Sequence, residues 1–254
     1  LLAPKPDISN AIVEKELLIV LDRSGSMDGE KFQQAKQALI YILKNLNSGD
    51  RFYLSAFSSG INRYAQELRP VEDAAEAIAW AERLEAQGST DINLALLDAA
   101  AAASSDRPTY LIFLTDGLPT EGVIENQAIL DNFARSAAKN IRLFPFGVGY
   151  DVDTFLLDSL SSENGGLSTY VKPGENLNEI LSGFYARIST PVLTDLTLDF
   201  GGLAVYDLYP SPLPDLFAGS QIVALGRYPE GGFTDVTLTG ALNKESLTYT
   251  YPHQ

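Results

Sequence analysis

The chain of 254 residues has no cysteine, which excludes both a disulfide framework and a thiolate metal site. Its one histidine, His253, lies beside the terminal residue. A Ser-His-Asp hydrolase needs an imidazole next to its serine, so this histidine reads as a solvated tail residue. Positive charge is scarce: 18 Lys and Arg against 33 Asp and Glu leave a formal net charge of −15. No basic cluster is present to meet a phosphate backbone, so nucleic acid is excluded as a partner. No apolar run approaches the roughly 18 residues of a membrane helix, so no membrane segment is expected in this chain. No signal peptide is visible. The abrupt start Leu1-Leu2-Ala3 before Pro4 reads as a piece excised from a longer protein, which leaves the compartment open. The stretch Gly25 to Lys31 is rich in glycine, but Phe32 follows Lys31, so the Gly-Lys-Ser/Thr ending of a P-loop is missing and nucleotide hydrolysis has no anchor.

What the chain does have is a 45% hydrophobic content, enough to bury a full core. One stretch organises it. Leu17-Leu18-Ile19-Val20-Leu21 runs straight into Asp22-Arg23-Ser24-Gly25-Ser26-Met27, and a helical pattern begins at Glu30. A short apolar run stopped by turn residues and followed by a helix predicts a parallel strand buried on both faces, with Asp22 at its carboxyl end. One carboxylate and two hydroxyls at alternate positions place oxygens on one side of a turn, as a hard cation requires. A serine loop also serves as a plain helix cap, and at this point both readings stand.

Beyond it, Phe32, Ala35, Leu39, Ile42 and Leu46 recur at helical spacing until Asn47-Ser48-Gly49, and residues 52–57 read as a second strand, followed by a short extended piece at 61–65. An alanine-rich helix covers 72–84, with Trp80 expected in the core. Gly88-Ser89-Thr90-Asp91 leads into a further helix, which either Thr90 or Asp91 can cap. Tyr110-Leu111-Ile112-Phe113-Leu114 repeats the first pattern and ends in Thr115-Asp116-Gly117. A helix at 128–139, a strand at 141–148 with Pro145 inside, a short strand at 168–171 and a closing helix that ends before Pro191 complete the series. Pro145 has to sit where no ladder bond is needed, such as a bulge.

Strand and helix alternate up to residue 190, which predicts an α/β fold with a doubly wound, mainly parallel sheet. In the common order 3-2-1-4-5-6, the strands ending at Asp22 and Asp116 lie side by side at the topological switch point, where such sheets bind ligands. That convergence favours a cation site over a cap. After Pro191 the pattern changes to alternating stretches at 192–200, 221–228, 233–239 and 247–251 between Pro and Gly turns, which predicts a small antiparallel β unit. The expected organisation is one domain over 14–190 and a second, incomplete sandwich-like unit over 191–254, with residues 1–6 supplying a strand.

The segment from residue 14 to 190 resembles a von Willebrand factor A domain. Asp22-Arg23-Ser24-Gly25-Ser26 matches its Asp-x-Ser-x-Ser motif, Thr90 its second-loop threonine and Asp116 its third-loop aspartate. The stretches around Thr90 and Asp116, with the Pro-rich run from Asp207 to Gly219, are similar to the heavy chains of inter-alpha-trypsin inhibitor and their bacterial relatives. The resemblance implies a metal ion-dependent adhesion site built from Asp22, Ser24, Ser26, Thr90 and Asp116. Arg23 and Met27 occupy non-coordinating positions. The cation would be Mg²⁺, with Mn²⁺ or Ca²⁺ able to replace it, and a protein partner's Asp or Glu carboxylate would complete its shell. No catalytic role is expected; the rival readings are a scaffold with a structural or unused metal site and a metal-dependent phosphatase. An extracellular or cell-surface parent is favoured.

Overall fold

The computed structural model describes residues 13–104, 106–138, 140–189, 191–217, 221–242 and 245–252. The apolar runs read from the sequence are central strands because both faces of the sheet are covered. β1 (Glu16–Asp22) is followed by a 3₁₀ turn at Gly25–Met27 and by α1 (Glu30–Lys44). β2 (Arg51–Phe57), β3 (Ile61–Arg63) and β4 (Arg69–Pro70) lead through a 3₁₀ turn at Val71–Asp73 to α2 (Ala74–Glu82) and α3 (Ile92–Ala102). β5 (Thr109–Thr115), α4 (Asn126–Ser136), β6 (Ile141–Val148), α5 (Thr154–Glu163), β7 (Thr169–Val171) and α6 (Leu177–Ile188) follow.

The sheet order is β3-β2-β1-β5-β6-β7, with β4 also paired to β2. β1 lies parallel between β2 and β5, as predicted, while β3 and β4 run antiparallel to β2. On one face Leu18, Val20, Leu111 and Phe113 pack with Leu96 of α3, Phe133 of α4 and Leu156 of α5. On the other, Phe184 of α6 sets its ring 4.9 Å from that of Phe144 and 5.0 Å from that of Phe146. Each fully buried Leu, Val or Phe contributes about 1.5–3 kcal/mol relative to exposure, so this two-sided burial makes the strand ends rigid supports.

The structure corrects several expectations. α5 has no counterpart in the sequence reading; Asp153 caps it, accepting from Leu156 N–H at 2.9 Å. Trp80 is half-buried, edge-on to Tyr64 at 6.1 Å, because α2 lies at the margin of the sheet beside α1. The β5–β6 register runs through Pro145 without a bulge. Leu143 donates outward to the Asn164 carbonyl, so Pro145, two residues on, faces the same side, and β7 pairs there only from Phe146. The proline therefore sits where no ladder donor is wanted.

The chain divides into two compact units, one of them spanning Glu14–Tyr185. In the second, antiparallel strands β8 (Pro191–Asp199), β9 (Tyr206–Tyr209), β10 (Leu216–Phe217), β11 (Leu225–Arg227), β12 (Val236–Leu242) and β13 (Glu245–Tyr251) form a four-stranded sheet, β10-β8-β12-β13, and a two-stranded one, β11-β9. β9 and β10 were not expected; β11 falls within the stretch read at 221–228 but pairs over only three residues, and β12 is shifted three residues beyond the stretch read at 233–239. Leu193, Leu196, Leu213 and Leu238 make the small core. The expected strand at residues 1–6 and the tail position of His253 lie outside the described residues.

Candidate metal centre

Asp22 ends β1 with no exposed surface. Its Oδ1 accepts from the Ser24 backbone N–H at 2.7 Å and its Oδ2 from the Thr115 hydroxyl at 2.6 Å. Burial pushes its carboxyl up to about 6, against the opposing pull of the Thr115 and Ser24 hydrogen bonds; the neighbouring Asp116 charge adds a little to the rise. The chain then turns in the 3₁₀ segment, and the fully buried Met27 side chain anchors the loop in the core. Met27 thus holds the loop from below. Arg23 points away to the Glu85 carbonyl.

The loop before α3 supplies Thr90. Here the two capping candidates divide the work: Asp91 caps α3 by accepting from Leu94 N–H at 2.9 Å, which leaves the Thr90 hydroxyl unspent on the helix. Backbone bonds sew the three loops together. Gly25 N–H donates to the Gly88 carbonyl at 3.0 Å, and Thr120 N–H donates to the Thr90 carbonyl at 2.9 Å. The Thr90 N–H donates to the Thr120 hydroxyl at 3.0 Å. Gly88 has φ +91°, and a Cβ there would stand 3.0 Å from Cβ of Ser58, so both conformation and space call for glycine.

Asp116 follows β5 and is buried. Its Oδ1 accepts from the Ser26 hydroxyl at 2.8 Å, and Ser26 Oγ lies 3.1 Å from Ser24 Oγ. Its Oδ2 pairs with the Lys31 ammonium from the first turn of α1. A Cβ placed on Gly117 would stand 3.9 Å from both Ser26 Oγ and Thr90 Oγ1, which sets Gly117 beside the hydroxyls of the first and second loops. All five sequence-predicted residues therefore stand at the carboxyl edge of β1 and β5. Asp22, Ser24, Thr90 and Asp116 are buried, and Ser26 faces solvent.

This donor set suits a hard cation: three neutral hydroxyls and two carboxylates, all oxygen. Among the described residues no three His, Cys, Asp or Glu side chains gather as a metal cluster. Any cation here would depend on hydroxyls and water, which Mg²⁺ with its retained waters tolerates. That Asp116 already holds an ammonium shows the place accepts positive charge. Thr115 and Lys31 were missed by the sequence reading. Thr115 is legible as the neighbour of Asp116 in a strand beside β1; Lys31 carries no local signal beyond the glycine-rich stretch that precedes it.

A mainly parallel sheet wound in this order, with Asp-x-Ser-x-Ser, Thr and Asp at its switch point, defines a von Willebrand factor type A domain. The signature of that family matches residues 16–183, and the chain belongs to it. Domains of this family generally serve protein interaction and adhesion. The chain is 32% identical over 248 residues to inter-alpha-trypsin inhibitor heavy chain H4 of Homo sapiens, covering 92% of this chain and 27% of that protein. It thus spans about a quarter of the length of the curated relatives it matches. Among solved structures, the von Willebrand factor type A protein from Catenulispora acidiphila superposes with a TM-score of 0.73 at 22% identity, over 95% of this chain and 66% of the other. Proximal thread matrix protein 1 from the mussel byssus, solved with zinc in its MIDAS motif, shares the fold at a TM-score of 0.55 and 15% identity, over 75% of this chain and 50% of that one.

Proposed function

We propose that this domain is a metal-dependent protein-binding module of the adhesion type. Asp22, Ser24, Ser26, Thr90 and Asp116 would hold Mg²⁺, with Mn²⁺ or Ca²⁺ as substitutes. The observation that carries the reading is the continuous run of oxygens from Ser24 through Ser26 to Asp116 at one sheet edge, open to solvent at Ser26. Asp22 fixes the loop by accepting from Ser24 N–H and Thr115. The hydroxyls leave the net charge of the donor set small, so a bound divalent ion would stay electrophilic and take an Asp or Glu carboxylate from a partner protein. The zinc named for the mussel protein's motif supports a divalent ion at the corresponding place. No residue is assigned a catalytic role, and an extracellular or cell-surface setting for the parent protein goes with this reading.

Titration calorimetry with Mg²⁺ and Mn²⁺ tests it. The wild type is expected to bind one ion and to melt higher, by an amount set by RT ln(1 + [L]/Kd), about 2.7 kcal/mol at a hundredfold excess over Kd. Ser24→Ala/Asp116→Ala protein is expected to show neither effect, and equal binding by both proteins would overturn the assignment. Capture of a partner from the source cells should disappear in EDTA and with Asp22→Ala protein.

A further inference from the structure

Lys31 belongs to the first turn of α1 and is 41% exposed at its side chain, yet its ammonium reaches Oδ2 of Asp116, a carboxylate that is 1% exposed. A buried carboxylate needs a partner for its charge, and the Ser26 hydroxyl satisfies only the other oxygen. Lys31 also lines a cavity of about 620 Å³ formed by α1 and the loops after β6 and β7, whose wall carries the carboxylates of Glu30, Asp151 and Glu175 against one other cation, Lys172. The flexible four-carbon stem therefore has two places for one charge: on Asp116, or over the cavity, where three carboxylates outnumber the single ammonium of Lys172.

We infer that Lys31 is a tethered counter-ion of the metal site, which competes with the divalent cation for Asp116 and swings over the adjoining cavity when the cation takes its place. The inference rests on the metal-binding reading above and deepens it. The two positive groups cannot share Asp116 at close range, because like charges repel steeply in a partly desolvated site. The tethered ammonium keeps Asp116 paired before loading and lowers the site's apparent affinity, since every incoming cation must displace it. It also sets a threshold. A monovalent ion, with no more charge than the ammonium and no tether, gains little by the exchange, whereas a divalent ion does.

The test uses Lys31→Met and Lys31→Gln, which remove the charge, beside Lys31→Arg, which keeps it. Mn²⁺ affinity is read by calorimetry and by the electron paramagnetic resonance of the bound ion, and melting is followed in EDTA and at saturating Mn²⁺. The neutral variants are expected to bind Mn²⁺ about two- to fivefold more tightly than wild type, the equivalent of losing one competing ion pair, while the Arg variant stays near wild type. In EDTA the neutral variants should melt below wild type, and Mn²⁺ should raise their melting temperature by more. Unchanged Mn²⁺ affinity in both neutral variants would overturn the role of Lys31 and leave the metal site standing. Failure of wild type and all variants to bind Mn²⁺ would overturn both readings together.

Discussion

Asp22 is held between two opposed demands. The loop needs its carboxylate as a double acceptor, while burial favours the protonated form and lifts its pKa to about 6 from 3.8. Because the folded state binds this proton more tightly than the unfolded chain does, the stabilisation linked to it is fully present below about pH 4 and lost as pH rises through about 6. In EDTA, moving from pH 4 to pH 7 should therefore cost about 2 kcal/mol through this group alone, most of the roughly 3 kcal/mol that the whole shift represents at 1.36 kcal/mol per pKa unit. Urea denaturation of wild type against Asp22→Asn isolates the contribution; a difference between the two that stays flat with pH would contradict it. Thr115→Val keeps the shape but leaves Oδ2 of Asp22 without its hydroxyl donor. We expect a loss of about 1–3 kcal/mol, read by the same denaturation curves.

At the scale of the element, the parts that could be read in advance are those whose chemistry is local. The apolar runs of β1 and β5 announce strands buried on both faces, and an aspartate directly after each marks the carboxyl edge. Their adjacency follows from the common doubly wound strand order, whose switch point falls between them. Harder to read were strands of two to four residues such as β4, β9 and β10, which exist through pairing and carry no pattern of their own. α5 carries a local signal in Asp153 as cap with Leu156, Leu157 and Leu160 at helical spacing. Lys31 was not legible as a partner of Asp116, because nothing local says that the first turn of α1 faces the loop after β5. The loop elements yield a prediction of their own: Gly88→Ala forces a β-carbon onto a backbone at φ +91° against Ser58. Stability should fall by about 1–2 kcal/mol, and cation affinity should fall with it, since the Gly88 carbonyl receives Gly25 of the first loop. Thermal melting with and without Mg²⁺ checks both effects.

At the scale of the whole molecule, the net charge of −15 opposes the approach of any partner of like net charge, even one that offers the carboxylate the site is proposed to take. Association with a partner of net negative charge should speed up as salt is raised from about 0.01 M to about 0.15 M, where the Debye length shrinks from ~30 Å to ~8 Å. Stopped-flow mixing reads this directly, and a rate that falls with salt would point to a basic partner. The same molecule must also assemble its sheet from segments whose apolar centres are nearly interchangeable. The Thr115 hydroxyl that meets Asp22 has a counterpart at the opposite edge, where Thr109 donates to the Glu16 carboxylate at 3.1 Å in the register Glu16↔Thr109. A slip of β5 by two residues would preserve every side chain's face, and five consecutive apolar residues on each strand would hardly register the error. It would, however, set Glu16 opposite Leu111 and Asp22 opposite Gly117, taking from each buried carboxylate its threonine donor at about 1–3 kcal/mol apiece, although Arg51 of β2 would still pair with Glu16 and the Ser24 N–H with Asp22. The aspartate proposed to serve the cation is thus also one of two polar marks that favour the correct alignment of the folding chain over its two-residue slip.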